Sequence, residues 1–559
     1  MGRKTAAFVL SLFVAPVISS TSNSSDSKPR FSIAGERYHE DLIIQPLRDG
    51  RVISTFTFTT LLEGVSPRDP WELETPAQHY TLFPLTLGQI LREYSITELH
   101  LSLNAGKWNY DNWGYPEDPS VSTGAELWAW MADGGPMSID ERWTSLRNAL
   151  AGLFCASLGS LDSRRTSSPY SAFPLSSVSS LKISFQYALR HATLPSEHVC
   201  TENLTPFLKL LPCKSHTGLA RLLNPQRLFD ADWHGLGVHV LSTDRGLELR
   251  LGVQAVLDPV RESGGKRRDW SFQSLFDRSI DAACPVSSRS TARVVIPDDD
   301  GYRLSPELLL GDKSMAIYDL TSQVPLDISM LWPNEHPFPF PPTHTGPLAP
   351  LSIKRALHGF SQTHGVLSVA LSNNEYGDIT IGYLETLPAL VTLWMHTIKA
   401  EVRGTQRDDL ISDISYHPSL LQSNGRYGPS VLQVRLTVPA KSALRLSIDI
   451  TKTFLKYTEH PPDAMRGWDL PPAVLFPVLI DGPVKYMVND SFVDGIGTRD
   501  RHRTIPHRMY TPTLLVDLPT PDFSMPYNVI ILSCTLVTLI FGSIFNLLTR
   551  KWAIVKVEE

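Results

Sequence analysis

The sequence predicts a mainly β protein. It reads as luminal antiparallel β-sandwich-like domains with an α-helical insertion in the N-terminal part, plus one C-terminal transmembrane helix. Three observations lead there. Short segments of alternating apolar and polar residues, separated by turn residues, recur through most of the 559-residue chain, as half-buried strands require. An uncharged stretch from Tyr527 to Leu548, YNVIILSCTLVTLIFGSIFNLL, is long enough to cross the ~30 Å of hydrocarbon in a bilayer. At the other end, Arg3 and Lys4 precede a short apolar run, Ala6 to Val14, and then small residues with Val17 and Ser19 ahead of a cut. That is a secretory signal peptide over residues 1–19.

Composition narrows the class. Net charge is −6 and charged residues are 19% of the chain, below the usual ~25%. Disorder needs the opposite, low hydrophobicity with high net charge. No domain-wide basic excess suggests nucleic acid as a partner, and no heptad run suggests a coiled coil. Length alone gives about three to four domain-sized units at ~150 residues each.

The two ends agree on orientation. The signal peptide delivers the body to the lumen, and Arg550, Lys551 and Lys556 follow the span, where positive flanks stay cytoplasmic. The expectation is a single-pass type I protein. A removable lipid-anchor signal is the competing reading, disfavoured because ten residues, RKWAIVKVEE, follow the span.

Along the body, Leu42–Gln45 and Val52–Thr60 flank Asp49-Gly50, a hairpin signal, and Phe56 and Phe58 alternate with Thr55, Thr57 and Thr59. Leu87–Tyr94 reads as a short helix. Ser138-Ile-Asp-Glu141 is a capping box. The apolar spacing of Trp143, Leu146, Leu150, Leu153 and Phe154 predicts a buried amphipathic helix from Ile139 to Leu158. Val238, Val240, Leu247, Leu249, Leu251 and Val253 alternate around Asp244-Arg-Gly246. Seven prolines in the eighteen residues Pro333–Pro350 mark a linker or extended loop. Beyond it, strands are expected at 366–371, 378–383, 389–402, 431–438 and 443–451, spaced as in a sandwich. The expected layout is therefore a helix-bearing β domain over 20–332, the Pro-rich stretch 333–350, a second sandwich-like domain over 351–526, the span 527–548 and a cytoplasmic tail 549–559.

The five cysteines are Cys155, Cys200, Cys213, Cys284 and Cys534. None has C-x-x-C spacing, so neither a zinc ribbon nor a thioredoxin-type site is supported. Cys534 lies in the span. The other four face an oxidising lumen, where disulfides persist. Two internal disulfides, with Cys200 and Cys213 able to close a small loop, are the simpler arithmetic; a bond from one of them to another chain is the alternative. Sequons at Asn23, Asn203 and Asn489 are candidate glycan sites. Asn23 is close to the cut and Pro206 follows the Asn203 sequon, which disfavours both.

Chemical motifs are missing. No nucleophile elbow, zinc helix, phosphate loop or dinucleotide fingerprint occurs, and no cofactor or metal is expected. His39-Glu40-Asp41 is the densest titratable cluster, read as the solvated start of a strand rather than a metal or general-base site. His358 and His364 in HGFSQTHG read as polar caps of a turn. Cys200 as a nucleophile beside a histidine is weighed against a paired cysteine, and the pair is preferred. Lys107–Tyr115, KWNYDNWGY, interleaves aromatics and amides as a sugar site does, against the plainer reading of core anchors. Arg499 to Arg508 is a basic run before the span that can meet lipid phosphate, against a solvated loop. In the span, Cys534, Thr538, Gly542 and Asn546 recur every four residues, flanked by Thr535 and Ser543, and form a small, polar packing face.

Several stretches together resemble a known family: YHEDLIIQPLRDGR, HYTLFPLTLGQIL with LHLSLNAGKW, CTENLTPFLKLLPC (Cys200 to Cys213), HGFSQTHG, YTEHPPDAMRGW, and LPTPDFSMPYNV running into FNLLTR. They are similar to the PIG-T subunits of GPI transamidase, the endoplasmic-reticulum complex that exchanges a C-terminal propeptide for a GPI anchor. The resemblance implies a non-catalytic, β-rich luminal scaffold with no catalytic residues of its own. Its implied partners are PIG-K, the caspase-like catalytic subunit, further multi-spanning subunits, and through them GPI lipid and proprotein. It also implies that the cysteine opening C-T-E-N-L-T-P, here Cys200, is disulfide-linked to PIG-K. That reverses the preference for internal pairing and leaves Cys155, Cys213 and Cys284 as an odd set. The rival readings are a luminal thiol or glycan enzyme and a luminal glycan-binding receptor-like membrane protein.

Overall fold

A computed structural model describes residues 35–71, 80–176, 186–297, 301–307, 314–321, 325–335, 337–339, 348–359, 361–422, 425–455, 466–478, 508–518 and 524–555. The signal peptide, Asn23, Asn489 and the basic residues Arg499, Arg501 and Arg503 lie outside the described residues.

The N-terminal half is organised on a ten-stranded sheet. Its strands are β1 (Glu36–Pro46), β2 (Val52–Glu63), β3 (Ile96–Ala105), β4 (Gly124–Ala132), β5 (Thr166–Ser167), β6 (Tyr187–Leu194), β7 (Trp233–Thr243), β8 (Gly246–Leu257), β10 (Arg289–Val295) and β12 (Met315–Asp319). A smaller sheet joins β9 (Trp270–Ser271), β11 (Arg303–Ser305) and β13 (Ser329–Leu331). The spatial order of the large sheet is β12-β10-β1-β2-β8-β7-β3-β4-β6-β5. Neighbours are antiparallel except β1 and β10, which run parallel. The β1–β2 hairpin turns at Asp49-Gly50, where Gly50 takes φ +82°, a conformation that favours glycine.

Helices cover one face of this sheet: α1 (Leu85–Glu93), α3 (Ile139–Phe154), α4 (Thr201–Lys209), α5 (Pro225–Phe229) and α7 (Phe272–Phe276). Two single turns, α2 (Tyr110–Trp113) and α6 (Pro259–Glu262), lie in loops. Trp143, Leu146, Leu150 and Phe154 of α3 and Leu204 and Phe207 of α4 join Phe56, Phe58, Leu127, Ala129 and Met131 in one apolar core. Burying a side chain of this size contributes about 1.5–3 kcal/mol. α3 starts at the predicted capping box: the Glu141 N–H donates to Ser138 Oγ (3.3 Å), and the Ser138 N–H to Glu141 Oε2 (2.9 Å). It ends four residues earlier than expected, because Cys155 turns left-handed (φ 54°, ψ 39°) and stops it.

The second half holds two antiparallel sheets. One joins β14 (Leu351–His358), β15 (His364–Asn373), β17 (Val391–Leu393), β18 (Lys399–Val402), β19 (Thr405–Gln406) and β22 (Ala443–Lys452). The other joins β16 (Ile379–Leu387), β20 (Ile411–His417), β21 (Ser430–Val438), β24 (Val474–Pro477) and β25 (Met509–Tyr510). β23 (Trp468–Leu470) pairs with β26 (Leu514–Val516). The long strand expected at 389–402 is broken by a 3₁₀ turn at Met395–Thr397. The two larger sheets share one core, in which Leu367, Val369, Leu446 and Ile448 meet Tyr383, Leu432, Val434 and Leu436.

That second core does not stop at the sandwich. It includes Ile53, Trp128, Trp130, Leu189, Trp233 and Val256 from the uncovered face of the ten-stranded sheet, with Trp108, Tyr110 and Trp113 between. The large sheet is therefore buried on both faces. This corrects the half-buried reading of β2, where Thr55 and Thr59 are 3% and 2% exposed. The chain is thus mainly β, with helices in its N-terminal part and a C-terminal apolar helix, α8 (Ser524–Thr549). Tyr527–Thr549 is long and apolar enough to cross a membrane.

Candidate functional site

The cysteines divide by environment. Cys213 and Cys284 form a disulfide, with Cα atoms 5.9 Å apart and a sequence separation of 71. In the chain-entropy account, closing a loop of that size stabilises by about 4 kcal/mol. The pairing rules out the small Cys200–Cys213 loop in this structure. It also fastens the segment after α4 to the segment between α7 and β10, beside β1. Gly218 stands where a Cβ would fall 2.4 Å from Glu40 Oε2 and 2.9 Å from Cys284 Cβ. The adjacent Leu219 N–H donates to that carboxylate at 3.0 Å.

Cys200 and Cys155 are exposed free thiols. Cys200 is the N-cap of α4, in extended conformation. Asn203, at the third helical position, completes the cap: its Oδ1 accepts from the Cys200 N–H at 2.8 Å. Its Nδ2 donates to the carbonyls of Phe154 (2.9 Å) and Cys155 (3.1 Å), at the end of α3. One carboxamide therefore ties the start of α4 to the end of α3. Glu197 adds a second tie, its carboxylate accepting from the Ser157 N–H at 2.9 Å. Below, Leu204 and Phe207 are buried in the core. Cys200 thus stands on a base held by packing, two side-chain brackets and a nearby disulfide.

Asn203 itself is 1% exposed. The expectation of a surface sequon there meets a buried amide whose three hydrogen bonds are all internal, and a glycan on Nδ2 is incompatible with them. The sequence reading missed this role. The available signal was an Asn three residues after a helix-starting Cys, the spacing of a capping box.

Other candidates fall elsewhere. His39-Glu40-Asp41 is not a solvated strand start: it lies inside β1, and the three residues are 5%, 0% and 9% exposed. Tyr38 Oη and Ser290 Oγ donate to Glu40 (3.0 and 2.9 Å), and Asp41 pairs with Arg293. Burial pushes the Glu40 carboxyl up and, with Arg289 and Arg250 beside it, pushes His39 down to about 4. His358 and His364 flank the β14–β15 turn. Trp108, Tyr110 and Trp113 are core residues, and Trp108 Nε1 donates to the Gly114 carbonyl at 2.9 Å. The sugar-platform reading of that segment therefore fails. Arg508, the described end of the basic run, faces inward over Trp128 (5.0 Å) and Phe173 (4.8 Å). In α8, a shallow groove is lined by Cys534, Thr535, Thr538, Leu539, Gly542, Ser543 and Asn546. The hydroxyls of Thr535 and Thr538 bond back to the carbonyls of Ile531 and Cys534, both at 2.7 Å.

A second polar concentration, absent from the sequence reading, lies on the sandwich-facing side of the large sheet. Glu98 Oε1 meets His100 Nε2 at 2.8 Å, His100 Nδ1 meets His239 Nδ1 at 2.9 Å, and His239 Nε2 meets Asp118 Oδ2 at 2.8 Å. Burial pushes Glu98 up to about 7, against the hydrogen bonds from Ser176. Burial and then His239 hold His100 well below the usual imidazole range. Asp118 is held well below the usual carboxylate range: burial opposes this, and His239 overrides it. Nearby, Tyr510 Oη donates to Glu126 Oε2 at 2.8 Å, and the Tyr510 N–H to Tyr110 Oη at 2.9 Å. These bonds join β25 to β4 of the N-terminal sheet and to α2. Among the described residues, no group of three or more His, Cys, Asp or Glu is arranged to hold a metal ion.

Comparison with known proteins places this mainly β chain, with its one C-terminal apolar helix, in a family. The family model described as "Gpi16 subunit, GPI transamidase component" matches residues 17–269 and 263–559. The GPI-anchor transamidase component PIGT of Homo sapiens is 36% identical over 541 residues, covering 92% of this chain and 90% of its own length. The PIG-T homolog of Schizosaccharomyces pombe is 31% identical, with 92% and 90% covered. GPI16 of Saccharomyces cerevisiae is 27% identical, with 93% and 89% covered. Among solved structures, a CBM3a-L domain from a Clostridium thermocellum scaffoldin is 9% identical, covers 19% of this chain and 68% of its own, and has a TM-score of 0.14, too low to carry an argument. The chain belongs to the Gpi16 family of GPI transamidase components.

Proposed function

We propose that this chain is the non-catalytic luminal scaffold of GPI transamidase in the endoplasmic reticulum membrane, covalently joined through Cys200 to the caspase-like subunit PIG-K. The observation that carries the reading is an exposed, unpaired Cys200 on a braced helix start. A thiol in that setting is available to another chain and unavailable to Cys213, which is already bonded to Cys284. Orientation is type I, with α8 as the span. The body comprises the sheet-and-helix unit over 20–332 and the sandwich over 351–526, joined by the Pro-rich stretch. Candidate glycans sit at Asn23 and Asn489. The groove of Cys534, Thr538, Gly542 and Asn546 packs against multi-spanning subunits or GPI lipid, because small residues let helices approach closely.

Non-reducing electrophoresis of the native complex tests the link. Cys200→Ser should remove a reducible band containing PIG-K while leaving a weakened complex. Survival of the band in Cys200→Ser would overturn the assignment. The scaffold role has its own test. Substituting His39 or His364 by Ala should alter yield or assembly more than turnover per assembled complex. Lost turnover with normal assembly would make the chain catalytic. For the span, replacing Thr538 and Gly542 by Leu should permit insertion and weaken association or GPI attachment. Full function with an unrelated transmembrane helix would reduce α8 to an anchor.

A further inference from the structure

We propose that Cys155 is a second, exchangeable disulfide partner of Cys200, bonded to it in the unassembled chain and released when the catalytic subunit takes its place. This rests on the interchain reading of Cys200 given above. The chain has five cysteines. Cys213 and Cys284 are consumed by each other, and Cys534 is in α8. That leaves Cys155 and Cys200, both exposed and neither of them bonded to another cysteine of this chain. They are not scattered. Cys155 ends α3 and Cys200 starts α4, and the Asn203 carboxamide contacts the backbone of both, at 3.1 and 2.8 Å. The Glu197–Ser157 bond closes the same corner from the other side. Neither thiol is inside a helix. Cys155 is the left-handed C-cap and Cys200 the extended N-cap. A disulfide needs a Cα separation of about 4.4–6.8 Å; the movement that closes it works against the Cys155 N–H bond to the Ala151 carbonyl and the Asn203 N–H bond to the Cys200 carbonyl (3.1 Å), which hold the two caps.

In an oxidising lumen, two neighbouring exposed thiols do not stay reduced while waiting for a partner. A luminal protein disulfide oxidises the pair: one Cys155 Sγ–Cys200 Sγ bond forms, and two electrons and two protons pass to the donor, which becomes a dithiol. Assembly then needs no further oxidant. The partner's thiolate attacks Cys200 Sγ, the bond to Cys155 breaks, the interchain bond forms, and Cys155 leaves as a thiolate that takes up the proton the partner thiol lost. Cys155 thereby guards Cys200 against mispairing.

The test uses the full-length chain in membranes from cells with and without the catalytic subunit. Thiols are trapped by acid and N-ethylmaleimide and mapped without reduction. The lone chain should yield a Cys155–Cys200 linked peptide. In the complex that peptide should vanish, and Cys155 should carry N-ethylmaleimide. In Cys155→Ser, Cys200 of the lone chain should become alkylatable or appear in covalent homodimers, while the interchain band persists in the complex. Alkylated Cys155 in the lone chain, with a normal interchain band in the complex, overturns this inference and leaves the interchain reading standing. A linked peptide that persists in the complex, with no interchain band, overturns the interchain reading and the exchange with it.

Discussion

Strands β4 and β22 are of similar length and sit in opposite surroundings. All nine residues of β4 are buried, whereas β22 alternates between exposed or intermediate and buried positions, with Leu444, Leu446, Ile448 and Ile450 inside. β22 belongs to a two-layer arrangement in which one face of the sheet meets water. β4 belongs to a sheet covered by helices on one side and by the sandwich on the other. The difference shows in how each region handles polar groups. In the sandwich, polar residues mostly point outward and need no partner. In the ten-stranded sheet they are enclosed on the second face and must satisfy one another, since an unpaired buried polar group costs about 1–3 kcal/mol. Hence the Glu98–His100–His239–Asp118 chain and the Glu126–Tyr510 bond.

The sandwich has exceptions, Asn373 and Ser430 among them, and removing the one that is a charged pair should have the largest effect. The side chains of Arg355 on β14 and Glu385 on β16 are fully buried and paired at 2.5 Å. Arg355 also donates to the Pro471 carbonyl at 2.8 Å, and Tyr383 Oη donates to Glu385. Glu385→Ala strands a buried guanidinium and should cost about 3–5 kcal/mol, read as a lowered thermal midpoint of the purified complex. Joint replacement, Arg355→Met with Glu385→Leu, should recover most of that loss. If Glu385→Ala is neutral, the contrast between a dry sandwich and a polar sheet face is wrong.

The pH response sharpens the same contrast. Burial raises Glu98 from 4.5 to about 7, so the folded chain holds a proton there that the unfolded chain releases. The stability this contributes is full below about pH 4.5 and is lost as pH rises through about 7, a swing of roughly 3 kcal/mol. His39, lowered to about 4, runs oppositely: its contribution is full above its unfolded value of 6.5 and is lost as pH falls through about 4. Glu98→Gln should therefore narrow the difference between melting at pH 5 and at pH 8, mainly by gaining at pH 8. An unchanged pH slope would mean that Glu98 is not the group titrating. Smaller again is Tyr510→Phe. It deletes the donor to Glu126 while His191 still contacts that carboxylate at 3.0 Å. The loss should be about 1.5–3 kcal/mol, with earlier proteolysis near β25; resistance to protease equal to the native chain would show that β25 is held by packing alone.

What could be read from the sequence follows from this division. β15, β21 and β22 were visible as alternating runs because one face is wet, and α3 because its capping box and apolar stripe agree. The C-terminal apolar helix was visible from its length and lack of charge. The double burial of β2 and β4 was not, because a second covering layer arrives from residues hundreds of positions away. For the same reason His39-Glu40-Asp41 looked like a surface cluster: its partners Leu219, Ser290 and Arg293 are 179 to 252 residues distant. The aromatics of Lys107–Tyr115 looked like a ligand platform because composition does not say which side of a loop is covered. At the thiol corner, the importance of Cys200 came from family resemblance. Its neighbour Cys155 and the bracket at Asn203 needed the structure.

The smallest expected effect bears on that bracket. Asn203 lies in the helical layer, the part of the N-terminal region where a polar side chain would have the best chance of facing water. It is nonetheless enclosed, with its amide shared between Cys200, Phe154 and Cys155. Thr205 completes the sequon but is exposed, and its hydroxyl bonds only to the Thr201 carbonyl at 3.2 Å. Thr205→Ala therefore abolishes the acceptor motif without touching the bracket. Surface changes of this kind stay within about 0.5 kcal/mol. If the Asn203 amide is committed to the fold, the mature chain should show the same mass before and after the substitution, apart from the side-chain difference, and the same melting temperature. Loss of a glycan-sized increment in Thr205→Ala would mean that the nitrogen is glycosylated. The α3–α4 corner would then be held by Glu197 and packing alone, and the enclosure of polar groups that distinguishes this half of the molecule would end at the sheet.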